Sequence, residues 1–496
     1  MLRIRNSVAV RREDLPAVTP DDFKKICVEA CSSGSRISAM CALPRASDDD
    51  GKEILAVLAD DSRGGLGLVR TRLADDGTYP ALSTELPQAQ AFERELYEEH
   101  GIHPDGHPWL KPLRRHPDLE EPVGSPYPFF RVEGPGIHEV AVGPVHAGII
   151  EPGHFRFQCH GETVLHLEIQ LGYQHRGAEA LLLRSTPARR LVVAESVAGD
   201  TAIGHGLAHG MVLETLAEME PPLSAQALRG IALELERVAN HSGDLGALCN
   251  DIGYLPGASF FGRLRGEFLN LLLELSGNRF GRGLLRPGGV RFGISGGQRK
   301  DFLARLARAQ RDAGDTAELT FNTPSVGSRF EETGIVTRET AEELGLVGPA
   351  GRASGCDRDA RRDHPFGVFR FAHIPVALAE SGDVMARAQV RWLEMQRSIT
   401  FLEEQIAELP ETRDPLWSDT PPLRPDSLAV SLVEGWRGEI AHVAATGSDG
   451  RLAGYKIVDP SFHNWFGLAM AVRGNEISDF PLCNKSFNLS YAGHDL

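Results

Sequence analysis

Cysteine is scarce in this chain. Seven thiols are spread over 496 residues, at Cys27, Cys31, Cys41, Cys159, Cys249, Cys356 and Cys483, and no two stand in CxxC spacing. An iron–sulfur cluster held by this chain alone is excluded on that count, because such clusters need about four thiolates presented together. Sparse, odd-numbered cysteine reads as free thiols in a reducing compartment. No apolar run reaches the ~18–20 residues that cross a bilayer. Met1 to Arg12 has arginines but no apolar core of signal-peptide length, so export is not expected. Basic residues are in deficit, with Lys+Arg 52 against Asp+Glu 68 and a net charge of −16, which argues against a nucleic-acid partner. There is no GxxxxGK[ST] loop, no strand-linked GxGxxG and no GxSxG elbow, so neither nucleotide binding nor serine hydrolysis has support.

What is present is the balance of a soluble globular chain, 42% hydrophobic and 24% charged, too long for one ordinary domain. Residues 1–120 read as one unit. A helix is expected over Asp21–Ala30, strands over Glu53–Asp60 and Gly65–Leu73, and a short charged helix over Phe92–His100, stopped by the turn-rich run from Gly101. His116 to Pro128 is rich in proline and acid and reads as a linker. Residues 121–496 open with a hairpin, Phe155–Phe157 and Val164–Leu171 about a turn at His160-Gly161-Glu162. The pattern then turns helical: a helix capped by Ser224, another over Phe260–Leu275 ended by Gly277, and a long one over Val384–Leu409. The fold class is α+β, a small α/β unit followed by a mainly helical one with a small entrance sheet.

Histidines are the candidates for chemistry, since imidazole titrates near neutral pH. His146 and His154 bracket a loop containing Glu151, which reads either as a proton or metal site or as two loop histidines. His205 and His209 are four apart and share a helical face, as a metal pair or as packed, hydrogen-bonded side chains.

Several blocks carry a resemblance. Gly143-Pro144-Val145-His146 with Glu151-Pro152-Gly153-His154-Phe155-Arg156-Phe157, then Gly172-Tyr173-Gln174-His175-Arg176-Gly177-Ala178-Glu179, Leu233 to His241, Arg286-Pro287-Gly288-Gly289, Gly348-Pro349 with Arg352-Ala353-Ser354-Gly355, Gly382-Asp383-Val384 and Pro460-Ser461-Phe462 stand in one order. In that order they resemble the large subunit of group 4 [NiFe]-hydrogenases and the quinone-site subunit of respiratory complex I. Glu93-Arg94-Glu95-Leu96-Tyr97 to Gly106-His107-Pro108 resembles complex I's small hydrophilic subunit, and the fusion of both is the layout of the formate hydrogenlyase large subunit.

The resemblance implies a cytoplasmic location, peripheral on the inner face of the cell membrane, beside an iron–sulfur partner carrying a [4Fe–4S] cluster and membrane-embedded ion-transport subunits. It also implies two CxxC pairs holding nickel and iron. Aligned without gaps, the first pair falls on Ala198 and Thr201, and the second on Ser490 and Gly493. All four thiolates are lost, so a NiFe centre is not expected. Complex I places a tyrosine and a loop histidine at its quinone; the tyrosine position is Gly199 here and His154 best matches the histidine. By the same resemblance Arg176 faces the partner's cluster. His205, with Asp200, Thr201, His154, Ser490 and His494, lines the vacated metal cavity, and Glu151, His154 and His205 are the catalytic candidates. Three readings stand. The first is an electron-transferring subunit that feeds a quinone-like or other acceptor; the second is a silent module that docks a cluster subunit onto membrane subunits; the third, an active [NiFe] hydrogenase, lacks its thiolate ligands here. A tunnel to Ser490 and His205 favours the first and a filled site the second.

Overall fold

A computed structural model describes all residues except 45–50, 75, 115–126, 147–149 and 410–414. Most of the expected linker therefore lies outside the described residues. Near the N-terminus come β1 (Leu2–Ile4), β2 (Val10–Arg11), β3 (Ala17–Val18), α1 (Pro20–Ser32), β4 (Arg36–Leu43), β5 (Glu53–Asp60), β6 (Gly65–Arg72) and α2 (Gln90–His100). Helix α1 starts where its sequence dictates: Thr19 accepts a hydrogen bond from the Asp22 amide, Pro20 takes the first turn, and Asp21 and Asp22 face the helix dipole. Helix α2 ends at Gly101, which is left-handed at φ 59°. Strands β1, β6, β5 and β4 form a sheet in that order, and β3 adds parallel to β6.

The entrance hairpin is present as β8 (His154–His160) and β9 (Thr163–Gln170), with β7 (Ile137–Val142) as a third strand on β8. Helices follow: α3 (Ala178–Arg184), α4 (Ala202–Leu216), α5 (Leu223–Asp251), α6 (Leu255–Ser276), α7 (Gly296–Phe321) and α8 (Val384–Glu408). Helices α4 to α8 bury one continuous core through Leu235, Val238, Phe261, Phe268, Phe302, Val384 and Leu402, and Gly277 ends α6 as expected. The cap of α5 is Pro222, not Ser224; Ser224 lies inside the helix, buried, and its hydroxyl caps nothing.

The helical half also contains a sheet that the sequence pattern did not reveal. Strands β10 (Ser427–Gly435), β11 (Gly438–Thr446) and β12 (Leu452–Val458) are antiparallel, and β2 from the far N-terminus completes them as a fourth strand. This sheet shares a core with the first unit: Leu428, Val430, Leu432 and Val443 pack with Ile37, Met40, Leu55 and Phe92. The chain closes with α9 (Pro460–Val472), α10 (Phe480–Phe487) and α11 (Tyr491–His494).

Candidate functional site

Helix α4 is buried almost all round, which is why its sequence shows no polar stripe. Its glycines admit neighbours closely: a Cβ on Gly204 would meet Ile440 Cδ1 at 2.8 Å. His205 and His209 do share a face, but each has its own partners. His205 bonds Asp459 Oδ2 through Nε2 (2.9 Å) and His442 Nε2 through Nδ1 (3.2 Å). His209 Nδ1 lies 2.8 Å from the Tyr455 hydroxyl, which lies 2.8 Å from His442 Nδ1. Burial pushes His209 down to about 3 and, with the neighbouring histidines, holds His442 well below its usual range. Burial alone would raise the Asp459 carboxyl; the bond from His205 outweighs it and keeps it low. Asp459 also caps α9, accepting from the Ser461 amide at 2.8 Å just before Pro460.

The four positions expected for thiolates converge here. Ala198 is buried, and its carbonyl accepts from the Thr201 amide at 3.2 Å. The Thr201 hydroxyl accepts from Trp436 Nε1 (3.1 Å) and Arg437 Nη1 (3.2 Å). Ser490 accepts from the Gly493 amide at 2.9 Å, and its own amide donates to Ser461 Oγ at 2.8 Å. Gly493 rests on Asp459: a Cβ there would stand 2.5 Å from Asp459 Cγ. Arg437 forks onto Asp200 (2.6 and 2.8 Å), donates to the Asn488 carbonyl (2.5 Å) and stacks on Trp436 at 3.9 Å. Burial raises the Asp200 carboxyl, but Arg437 outweighs it and holds it below its usual range. Glu151 closes one edge. Burial pushes its carboxyl up, while Arg437 and the backbone at Tyr491 and Ala492 act against the rise. Glu236 accepts from the Ile203 and Gly204 amides (2.7 and 3.1 Å) at the start of α4, and burial pushes it up to about 8.

These residues do not fit a NiFe centre. Alanine, threonine, serine and glycine supply no thiolate, and the space beside Gly493 is taken by Asp459. Cys483 is buried beside Gly334 with its thiol pushed up to about 11, the reverse of what a metal ligand needs. Among the described residues no group of three or more His, Cys, Asp or Glu is placed to hold a metal ion. Replacing Gly493 by cysteine is therefore expected to destabilise the chain by about 2 kcal/mol, as overpacking does. Melting curves of Gly493→Cys beside Ser490→Cys check this; equal and unchanged midpoints would remove the steric argument.

Other expected residues lie apart. His154 Nδ1 donates to the Gly143 carbonyl (2.9 Å) and its ring packs on Phe129; His146 Nε2 donates to the Gly153 carbonyl (3.0 Å). The two histidines thus brace their loop crosswise. His154 Nε2 is buried and has no hydrogen-bond partner among the described residues. Because Nδ1 must donate to a carbonyl, the neutral ring offers Nε2 as an acceptor only. His494 bonds Asp495 (2.8 Å), stacks on Phe462 and lines a cavity of about 350 Å³ between α2, the hairpin and α9. A second cavity of about 350 Å³ lies between α4, α5 and Phe366–Arg370. Neither has Asp200, Thr201 or Gly493 in its wall. Arg176 is exposed and ties the two vacated segments together through the carbonyls of Ser196, Val197 (both 2.8 Å) and Ala492 (3.3 Å).

Sequence reasoning missed Arg437, Trp436, Asp459, His442 and Tyr455. Only Asp459-Pro460 carried a signal, that of a helix cap followed by proline at the first helical position.

Two of the blocks that carried the resemblance, Leu233 to His241 and Arg352 to Gly355, meet on Glu394. Arg237 and Arg361 bond Glu234 (both 3.0 Å), Arg352 bonds Glu394 and Glu434 (both 2.8 Å), and His241 bonds Glu394 (2.8 Å), all buried. The family models that match are the respiratory-chain NADH dehydrogenase 49 kDa subunit, over residues 251–427, and its 30 kDa subunit, over residues 17–130. Hydrogenase-4 component G of Escherichia coli (strain K12) is 30% identical over 444 residues, 85% of this chain and 76% of that protein. The carbon monoxide-induced hydrogenase of Rhodospirillum rubrum is 30% identical over 71% of this chain and 97% of its own length. An NADH-quinone oxidoreductase subunit of Clostridium beijerinckii is 29% identical over 68% of this chain and 91% of its own. The chain belongs to the family of complex I 49 kDa-type and group 4 hydrogenase large subunits, with a 30 kDa-type segment in the same polypeptide.

Proposed function

We propose that this chain is the acceptor-site subunit of a membrane-associated, complex I-like oxidoreductase. Residues 1–120 supply the small-subunit-like part and 121–496 the large-subunit-like part. Electrons arrive from a [4Fe–4S] cluster in a partner that docks near Arg176 and leave to a quinone-like acceptor. No NiFe centre takes part. The observation that carries this reading is the convergence of Ala198, Thr201, Ser490 and Gly493, from opposite ends of the domain, on a polar cluster held by Arg437, Asp200, Asp459 and His205. Glu151 at its edge, its carboxyl raised by burial, is suited to give a proton to a reduced acceptor. The carbonyls that Arg176 gathers come from both vacated segments, so a charge change on the partner is felt at the cluster's rim. Among the described residues no helix is long and apolar enough to cross a membrane. The chain then sits peripherally, on the cytoplasmic face, against membrane-embedded ion-transport subunits.

A second reading has its own support. Arg437 spends its fork on Asp200, its Nε on Asn488 and its face on Trp436, so the cluster is satisfied internally, as a silent docking module would be. Nickel, iron and extractable quinone per copy of the native complex separate the readings. The expected result is no nickel, iron at cluster stoichiometry and bound quinone. Nickel near one per copy overturns the proposal in favour of a hydrogenase, and cluster iron without quinone favours the docking module.

A further inference from the structure

The polar groups behind the four vacated ligand positions form a single file. It runs Asp459, His205, His442, Tyr455, His209, with steps of 2.9, 3.2, 2.8 and 2.8 Å. The three histidines and Asp459 are wholly buried and Tyr455 nearly so. The file joins α4 to β11, β12 and the cap of α9, so its members are fixed by separate elements.

The direction of the bonds follows from the ends. An ionised Asp459 only accepts, so His205 Nε2 carries a hydrogen and its Nδ1 accepts from His442 Nε2. His442 Nδ1 then accepts from the Tyr455 hydroxyl, whose oxygen accepts from His209 Nδ1. This leaves His209 Nε2 as a bare lone pair, and that atom is the one in the file that is buried without a hydrogen-bond partner among the described residues. A packed core has no use for such an atom, and leucine would fill the place without an orphaned acceptor.

We propose that the file is a proton relay which carries a proton from His209 to Asp459, resting on the reading of the cluster at the vacated ligand positions as an acceptor site. The step balances without an added reagent. A proton binds His209 Nε2, and the Nδ1 hydrogen moves to the Tyr455 oxygen. The Tyr455 hydrogen moves to His442 Nδ1, the His442 Nε2 hydrogen to His205 Nδ1, and the His205 Nε2 hydrogen to Asp459 Oδ2. One proton enters at His209, one appears on Asp459, every bond in between reverses polarity, and no heavy atom moves. Asp459 lies against Gly493, so the proton arrives beside the vacated ligand positions, on a carboxylate that passes it on rather than keeps it. Burial holds His209 and His442 well below the usual histidine range, so these two rings stay neutral between transfers.

Two variants cut the file with little change of shape. Tyr455→Phe deletes one oxygen, and His209→Leu removes the entry group together with its orphaned atom. The native complex carrying each is assayed for decylubiquinone reduction by titanium(III) citrate, in H₂O and D₂O, after subtracting the rate without complex. Both variants are expected to lose at least about tenfold in rate and show a larger solvent isotope effect. Each is assayed well below its own melting temperature, which Tyr455→Phe lowers because His209 Nδ1 and His442 Nδ1 lose their shared partner. Unchanged rate and isotope effect in both variants overturn the relay while leaving the acceptor site standing. A wild-type complex that reduces no quinone defeats the acceptor reading itself. The relay is then decided on ¹⁵N-histidine spectra of the same complex. Exchange of His442 between its two tautomers, abolished in Tyr455→Phe, supports it; a single fixed tautomer overturns it.

Discussion

Replacing Glu95 by glutamine lowers the unfolding free energy by about 3–5 kcal/mol at neutral pH, the cost of stranding buried cations. Glu95 on α2 bonds Arg114 and Lys456 Nζ, the latter at 2.5 Å across to β12. All three side chains are almost fully buried, so water cannot replace the lost partner. Glu179 remains 3.0 Å from Lys456, and Glu99 remains 3.1 Å from Arg114, which keeps the loss from being larger. Burial would raise the Glu95 carboxyl, but Arg114 and Lys456 outweigh it and hold it down to about 2. The sign of the pH dependence follows. A carboxyl lower in the folded chain than its ordinary 4.5 stabilises the fold fully above that value, and the contribution fades as pH falls through about 2. Melting temperatures of wild type and Glu95→Gln should therefore differ most at neutral pH and approach each other in acid. A constant gap from neutral pH to pH 2 would show that the charge of Glu95 is not what holds the joint.

Arg437→Leu is expected to cost about 3 kcal/mol. That is the lower end for breaking a buried pair, because the Asp200 side chain keeps 30% of its surface exposed and water takes up part of its charge. The variant also frees the Asn488 carbonyl and the Trp436 face, so the segment from Asn488 to Gly493 loses its tie to the turn that opens β11. Arg437→Lys keeps the charge but cannot fork, and should recover less than half of the loss. Denaturant midpoints measure both. A loss below about 0.5 kcal/mol in Arg437→Leu, the scale of an ordinary surface change, would mean that the pair does not organise the site.

The helices are legible in the sequence because α5, α6 and α8 each present one apolar stripe, and Gly277 marks the end of α6. The sheet β10–β12 is not. Every residue of β10 and β11 is buried, so Leu428, Val430 and Leu432 show no exposed polar counterpoint and the period-two pattern vanishes. The site suffers by the same cause. Its half on α4 and the C-terminal segment follows from counting positions, while His442 and Tyr455 lie on strands without a pattern and Arg437 on the turn between two of them. His205 and His209 share one face as expected, yet what they bond to depends on which sheet packs against that face. His154 is expected at the cavity; it bonds the Gly143 carbonyl instead, a pairing of strand β8 with the residue just after β7 that spacing does not encode.

Strand β2 has a consequence for the order in which the molecule can be made. Val10 and Arg11 pair with Leu428 and Ser427, and Asn6 bonds both Leu432 and the His364 carbonyl. A ribosome releases these residues long before their partners exist. The strand must wait, unpaired, until the segment 426 residues beyond Asn6 has emerged, and only then can the shared core close. Contacts so distant along the chain make for slow final assembly. Until that segment is made, the nascent chain carries a bare strand edge of the kind that needs shielding from other chains.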